Sequence, residues 1–180
     1  NQDILTFDLR AVPENYIVVA NVPYYITSKI VKLLTTSANR PRTIVLLVQK
    51  EVAERMAAKA GDMSILAVSA QVFAKVHLGD IVPAALFTPP PKVDSQVVIL
   101  EMYTEPKVTP EDEKALFRVV KAGFSAKRKK LRSSLSSGLH ISKPEAEELL
   151  KSVQLNPDDR AEQLTVDDWL RLTSAVGRVE

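Results

Sequence analysis

The chain contains no cysteine. That removes disulfides and thiolate metal sites from consideration; it is compatible with a cytoplasmic location, which is the expectation, without proving it. Glycine is scarce. Gly61, Gly79, Gly123, Gly138 and Gly177 are the whole complement, and no two stand in a G-x-G arrangement. A glycine-rich loop of the kind that cradles a cofactor is therefore absent from these 180 residues. Long apolar runs are missing too. The longest, such as Ile44 to Val48, fall far short of the roughly 20 residues a membrane-spanning helix needs. No signal-peptide pattern opens the sequence. The two histidines, His77 and His140, have no metal-ligand spacing around them, so no metal site is expected. Charge of one sign does not dominate either. The net charge is +2, and any nucleic-acid contact must come from clustered cations. The first residue is Asn1 rather than methionine, which suggests a fragment or a processed product.

What is present has two textures. Up to about residue 104, short β-branched runs alternate with helical patterns, the α/β signature. Tyr16 to Ala20, Thr43 to Gln49, Val72 to Leu78 and Val97 to Tyr103 read as strands. The near-continuous apolar character of the first two predicts burial on both faces, as in a mostly parallel sheet. Thr27 or Ser28 is placed to cap a helix carrying Ile30, Val31, Leu33 and Leu34. Further helices are expected over 50–59 and from Ser64 to Ala70. The segment Thr104 to Lys107 reads as a linker, dividing the chain into domains 1–104 and 105–180. Beyond it the pattern is helical. Thr109-Pro110-Glu111-Asp112 combines a capping hydroxyl, a proline at the first helical position and acids in the first turn. Ser142 and Glu145 have capping-box spacing, and Thr165 starts a last helix with Val166, Trp169 and Leu170 on one face.

Asn21-Val22-Pro23-Tyr24 follows the first strand directly. An adenine amine is a poor nucleophile because its lone pair is delocalised into the ring. Two oxygens that accept its N–H bonds pull the nitrogen toward a tetrahedral shape and aim the lone pair at an electrophilic methyl group. The Asn21 amide and the Pro23 carbonyl are such a pair, and Tyr24 offers a ring on which the base can stack, worth about 1–3 kcal/mol. The carboxyl end of a strand is where open α/β sheets bind ligands. Asn and Pro are also ordinary turn formers, so the same four residues suit a plain strand-ending turn. Downstream, Phe87-Thr88-Pro89-Pro90-Pro91-Lys92-Val93-Asp94-Ser95 is a proline-stiffened loop. Phe87 can close the other face of an extruded base and Lys92 can meet a phosphate. Core packing and a solvated charge are the plain alternatives for these two.

Taken together, these segments resemble the KsgA-type ribosomal RNA adenine dimethyltransferases. The resemblance is carried by Asn21 to Tyr24, by Val48-Gln49-Lys50-Glu51-Val52-Ala53-Glu54-Arg55, by Phe87 to Ser95, and by Phe124 to Leu135 with Arg160-Ala161-Glu162-Gln163-Leu164. It implies the C-terminal part of a Rossmann-like methyltransferase sheet followed by a small all-α domain. It implies methyl transfer from S-adenosylmethionine to two adjacent adenosines near the 3′ end of small-subunit ribosomal RNA, within the pre-30S particle. Asn21, Pro23 and Tyr24 would then be catalytic, with Tyr24 and Phe87 sandwiching the base. Asp3 matches the family position that accepts from the cofactor's adenine amine, with Ile4 beside it and Asn21 near the cofactor's amino-acid end. The family's glycine-rich loop has no counterpart here, so cofactor binding by these residues alone is doubtful and the fragment is expected to be inactive by itself. Val22 stands where leucine is commoner, and Ser28-Lys29 where Ser-Pro is frequent.

Lys127, Arg128, Lys129, Lys130 and Arg132 place five cations within six residues, flanked by Ser125, Ser133 and Ser134, whose hydroxyls can donate to phosphates. Such a run suits a solvated helix face or an RNA-backbone grip. The resemblance favours RNA contact, with Lys92 as a further cation. Three rival readings stay open. One is an Erm-like methyltransferase acting on large-subunit RNA. Another is a non-catalytic RNA-binding or ribosome-assembly module. A DNA adenine methyltransferase is the third, resting only on the Asn-Pro-aromatic turn.

Overall fold

The computed structural model describes residues 2–177. Two compact units form: residues 1–57 with 69–107, and residues 58–68 with 108–180.

The first unit is built on strands β1 (Ile17–Asn21), β2 (Thr43–Gln49), β3 (Ala74–Val82) and β4 (Ser95–Met102). They lie in the order β1-β2-β4-β3. Helices α1 (Thr27–Thr36), α2 (Lys50–Met56) and α3 (Ile65–Gln71) connect them, with α3 running from one unit into the other. β1 and β2 pair in parallel, with Val19 beside Val45 and Asn21 beside Leu47. β4 is antiparallel to both β2 and β3. The expectation of a mostly parallel sheet is thus corrected, since one of the three pairings is parallel. Apolar periodicity reports how deeply a strand is buried, not its direction. A return loop such as 83–94 lets β4 run back between β2 and β3 without a crossover helix.

The core of this unit comes from alternate residues of β2 and β4. Ile44 faces Leu100 and Leu46 faces Val98 in the ladder, and all four are fully buried. Each such side chain contributes about 1.5–3 kcal/mol on leaving water. Ile30, Val31 and Leu34 line the buried face of α1. β1 departs from its expected burial. Ile17 is 49% exposed and Val19 is 76% exposed, and within the sheet β1 has a partner on one side only. α1 also starts differently from expectation. A 3-10 turn over Tyr24–Ile26 leads straight into it, Ile26 makes no side-chain cap, and Thr27 is buried in the first turn. α2 ends at Met56, three residues before the expected end.

The second unit carries α4 (Pro110–Phe124), α5 (Leu131–Leu139), α6 (Lys143–Ser152) and α7 (Val166–Val176). The Thr109 hydroxyl accepts from the Asp112 N–H, as its sequence predicts. Ser142 with Glu145 and Thr165 with Asp168 form full capping boxes. Trp169 is completely buried against Phe124, with ring centroids 5.5 Å apart. Residues 58–68 join this unit because the Gly61 and Met63 N–H groups both donate to the Glu162 carbonyl, at 2.9 and 3.1 Å. No helix among the described residues is long and apolar enough to cross a membrane.

Candidate nucleobase and RNA site

Asn21 is the last residue of β1, and the chain leaves the sheet directly after it. The Val22 side chain is buried and acts as the plug of this turn, which turns its neighbours outward. Asn21 and Pro23 are exposed, and Tyr24 is half-buried. The Asn21 side-chain amide makes no hydrogen bond to any described residue, so both its oxygen and its nitrogen are available. The Pro23 carbonyl accepts from the Ile26 N–H at 3.2 Å, closing the 3-10 turn. A carbonyl oxygen has two lone pairs, so a second donor can still be taken.

Tyr24 is held from a distance in sequence. Its hydroxyl shares a 2.7 Å hydrogen bond with the Ser95 hydroxyl, and Ser95 is fully buried at the start of β4. The neighbouring Asp94 carboxylate accepts from the Ala84 N–H at 2.9 Å, and its main-chain carbonyl accepts from the Lys50 N–H. Residues 94 and 95 therefore tie three things together: the Tyr24 ring, the start of α2, and the proline-rich loop bearing Phe87 and Lys92. Phe87 is half-buried and Lys92 is exposed. Tyr25, 86% exposed, and Leu86, 74% exposed, add apolar surface next in sequence to the two candidate stacking rings. The Thr88–Pro89 peptide is cis.

The candidate cofactor side is sparser. The Asp3 carboxylate accepts from the Leu5 N–H at 2.9 Å and caps a short 3-10 turn over Ile4–Thr6. Asp3 is exposed and Ile4 half-buried. A second oxygen of Asp3 stays available to an amine donor. Asn1, which opens this segment, lies outside the described residues. The residues present here are thus an exposed carboxylate with one oxygen in use, at Asp3, and an exposed amide, at Asn21. No glycine-rich cradle accompanies them. The described residues hold no cluster of three or more His, Asp or Glu side chains suited to a metal ion.

The five cations of the helical unit do not form one uniform face. Lys127, Arg128, Lys129 and Lys130 lie in the turn between α4 and α5, and only Arg132 sits on a helix. Leu131 and Leu135 are completely buried and anchor α5 beneath them. Lys130 pairs with Asp158 at 2.9 Å, and Arg132 with Asp158 at 3.1 Å and Glu147 at 3.4 Å. The hydrogen bond from Lys130, with the charge of Arg132, holds the Asp158 carboxyl below the usual aspartate range. Lys127, Arg128 and Lys129 are exposed and unpaired among the described residues, which makes them the free part of the cluster. Ser134 is buried and donates to the Ala126 carbonyl, so it does not face a phosphate.

A sequence model of the family described as ribosomal RNA adenine dimethylase matches residues 1–176. The chain belongs to that family. It is 43% identical to the ribosomal RNA small subunit methyltransferase A of Trichormus variabilis, covering 97% of this chain and 65% of that protein. The protein of the same name from Dehalococcoides mccartyi is 38% identical over 87% of this chain and 54% of its own length. The chain therefore spans about half to two thirds of these relatives. Among solved structures, a dimethyladenosine transferase from Plasmodium falciparum superposes with a TM-score of 0.81 at 26% identity, covering 98% of this chain and 71% of that one. The 23S ribosomal RNA methyltransferase ErmE shares the fold, with a TM-score of 0.73 at 24% identity over 97% of this chain and 70% of that one. The sheet of this adenine dimethylase family member is accordingly Rossmann-like. Ser95 closes the segment Phe87 to Ser95, but its residue type and neighbours mark it for no role. No local signal could reveal one, because its partner lies 71 positions away.

Proposed function

We propose that the protein bearing this chain transfers methyl groups from S-adenosylmethionine to the N6 amines of two adjacent adenosines near the 3′ end of small-subunit ribosomal RNA, in the cytoplasm. The observation that carries this reading is the turn at the end of β1, where an exposed, unpartnered Asn21 amide stands beside a Tyr24 ring fixed by Ser95.

Asn21 accepts one N–H of the target amine through its side-chain oxygen, and the Pro23 carbonyl accepts the other. With both N–H bonds so held, the nitrogen lone pair points away from the two oxygens. Tyr24 and Phe87 hold the flat faces of the base, so rotation of the amine out of this alignment is opposed by stacking. The bound cofactor supplies an electrophilic methyl group. In this reading Asp3 and Asn21 are the residues of this chain that would hold it. Apolar surface at Tyr25 and Leu86 excludes water from the flanks of the base. The free cations Lys127, Arg128 and Lys129, with Lys92, grip the RNA backbone and leave the sequence to be read elsewhere.

Replacing Asn21 by Ala in the full-length protein should abolish methyl transfer, with RNA affinity nearly unchanged. Equal loss of both would contradict the role given to Asn21. Mapping the methylated nucleotide separates this reading from one on large-subunit RNA.

A second reading applies to the 180 residues by themselves. The lack of a glycine-rich loop favours a chain that binds RNA without turnover. Calorimetric titration with S-adenosylmethionine decides it: no heat at micromolar ligand is expected, and micromolar binding would defeat this second reading.

A further inference from the structure

A cleft of about 500 Å³ opens in the sheet unit at the end of the strands away from Asn21. Its walls come from residues 10–15, 38–42 and 102–104. These precede β1, precede β2 and follow β4. Because β4 runs antiparallel to β2, all three segments meet at the amino-terminal ends of β1 and β2. Asn21 lies roughly 13 Å further along β1, at about 3.3 Å per residue.

The walls are held without a ligand. The Asn39 side-chain amide donates to the carbonyls of Leu9 and Val12, at 2.9 and 2.7 Å. Its main-chain carbonyl accepts from the Tyr16 hydroxyl at 3.0 Å. The Arg42 N–H donates to the Tyr16 carbonyl at 2.7 Å, and its carbonyl accepts from the Met102 N–H at 3.1 Å. Rigid walls matter, because a site that needs no rearrangement loses less free energy on binding.

The charges in the cleft are unbalanced. Arg10, Arg40 and Arg42 line it, against a single carboxylate, Glu14. Arg10 is already engaged by Asp8, through contacts of 2.9 and 3.1 Å. Arg40 and Arg42 form no ion pair with any described residue. The Arg40 Nη1 is, in addition, shut away from water with no hydrogen-bond partner among the described residues. A guanidinium partly withdrawn from water and left unpaired is unfavourable, and because its charge is delocalised an anion at the accessible part of the fork offsets that cost without reaching the shielded nitrogen. Guanidinium forks match the oxygens of a phosphate in geometry as well as in charge.

We propose that this cleft is a phosphate-binding site in which Arg40 and Arg42 hold the phosphate of an RNA backbone or of a free nucleotide. The RNA case rests on the function proposed above, whereas the free-phosphate case does not. In the RNA case the sheet unit would grip its substrate at a point separate from the base-holding turn.

Two measurements on the 180-residue chain test the site, each comparing wild type with Arg40→Gln/Arg42→Gln. The first is thermal unfolding in millimolar sodium phosphate against sodium chloride of equal ionic strength. Phosphate should raise the wild-type midpoint by a few degrees, and the double variant should lose that rise. The second is binding of a short single-stranded oligoribonucleotide across a salt series. The slope of log affinity against log salt should shrink by roughly 0.7–1.4 in the variant, as one or two backbone phosphates go unneutralised. A change in both measurements, or in the slope alone, identifies RNA backbone phosphate. A change confined to the phosphate response identifies a free phosphate. Equal behaviour of wild type and variant in both overturns the site. The exposed Arg42→Gln single variant serves if the double variant does not fold, with a smaller change of the same sign expected. Lys127, Arg128 and Lys129 changed to Ala report separately on the helical unit. An unchanged salt slope there would count against the proposed RNA grip and leave the arginine comparison intact.

Discussion

The helices of the second unit begin on side-chain caps at α4, α6 and α7, while α1 and α2 of the sheet unit begin without one. The contrast extends to apolar surface. Ile17, Val19, Tyr25 and Leu86 are exposed in the sheet unit, whereas in the helical unit Trp169, Leu116, Leu131, Leu135 and Leu172 are completely buried. The helical unit closes on itself with local signals and a packed aromatic centre. The sheet unit keeps apolar surface at its edge and around its base-holding turn. A flat nucleobase needs such surface to stack on, so part of this exposure serves the proposed chemistry rather than the stability of the unit.

The largest expected effect breaks the closure of the helical unit. Gly123 lies under the Trp169 ring, and a Cβ there would overlap it. Overpacking costs about 1–3 kcal/mol, of which the better helix propensity of alanine returns at most about 1 kcal/mol. Gly123→Ala should therefore lower the urea midpoint read from the emission of Trp169, the single tryptophan of the chain. An unchanged midpoint would show that this centre is looser than its geometry. Gly138 offers a parallel case, since a Cβ there would come within 2.5 Å of the Ala122 backbone.

A smaller effect is expected in the sheet unit. Ser95→Ala removes the partner of the Tyr24 hydroxyl and should cost about 1 kcal/mol. Adding Tyr24→Phe removes the orphaned hydroxyl as well and should recover part of that loss. Unfolding followed by far-ultraviolet circular dichroism measures both. Additive losses would mean that the two hydroxyls do not act as a pair.

The smallest effect is electrostatic and belongs to the helical unit. The folded pKa of Asp158 is depressed by Lys130 and Arg132, so its contribution to stability is present above the ordinary aspartate value, 3.8, and is lost as pH falls through the lower folded value. The group is exposed, which keeps the effect slight. Thermal midpoints of wild type should fall slightly more steeply than those of Asp158→Asn in that acid range. Parallel profiles would show that these ion pairs add nothing to the unit.

Legibility follows the range of the interaction. The starts of α4, α6 and α7 are readable because a cap and its target lie three residues apart. The buried Leu131 and Leu135 are readable because i, i+4 spacing places them on one helix face. The turn from Asn21 to Tyr24 is readable as a candidate site from its residue types and its place after a strand. The start of α1 is misleading because Thr27 and Ser28 look like caps, yet a preceding 3-10 turn feeds the helix. Strand direction is hidden because period-two burial is the same in either direction. The basic run is legible as a cluster. Its division into paired and free cations is not, since Asp158 and Glu147 approach from other segments.

By itself, then, the amino-acid order determined the α/β-then-helical sequence of elements, most helix starts, and the residue types of the proposed base-holding turn. These depend on contacts a few residues apart, which composition and spacing encode directly. Only the tertiary structure decided that β4 runs back between β2 and β3, that Ser95 holds Tyr24, and that the segment bearing Arg40 and Arg42 meets residues 10–15 and 102–104 in one cleft. Each of those depends on segments many positions apart meeting in space, and such meetings are set by packing of the whole unit rather than by any local pattern.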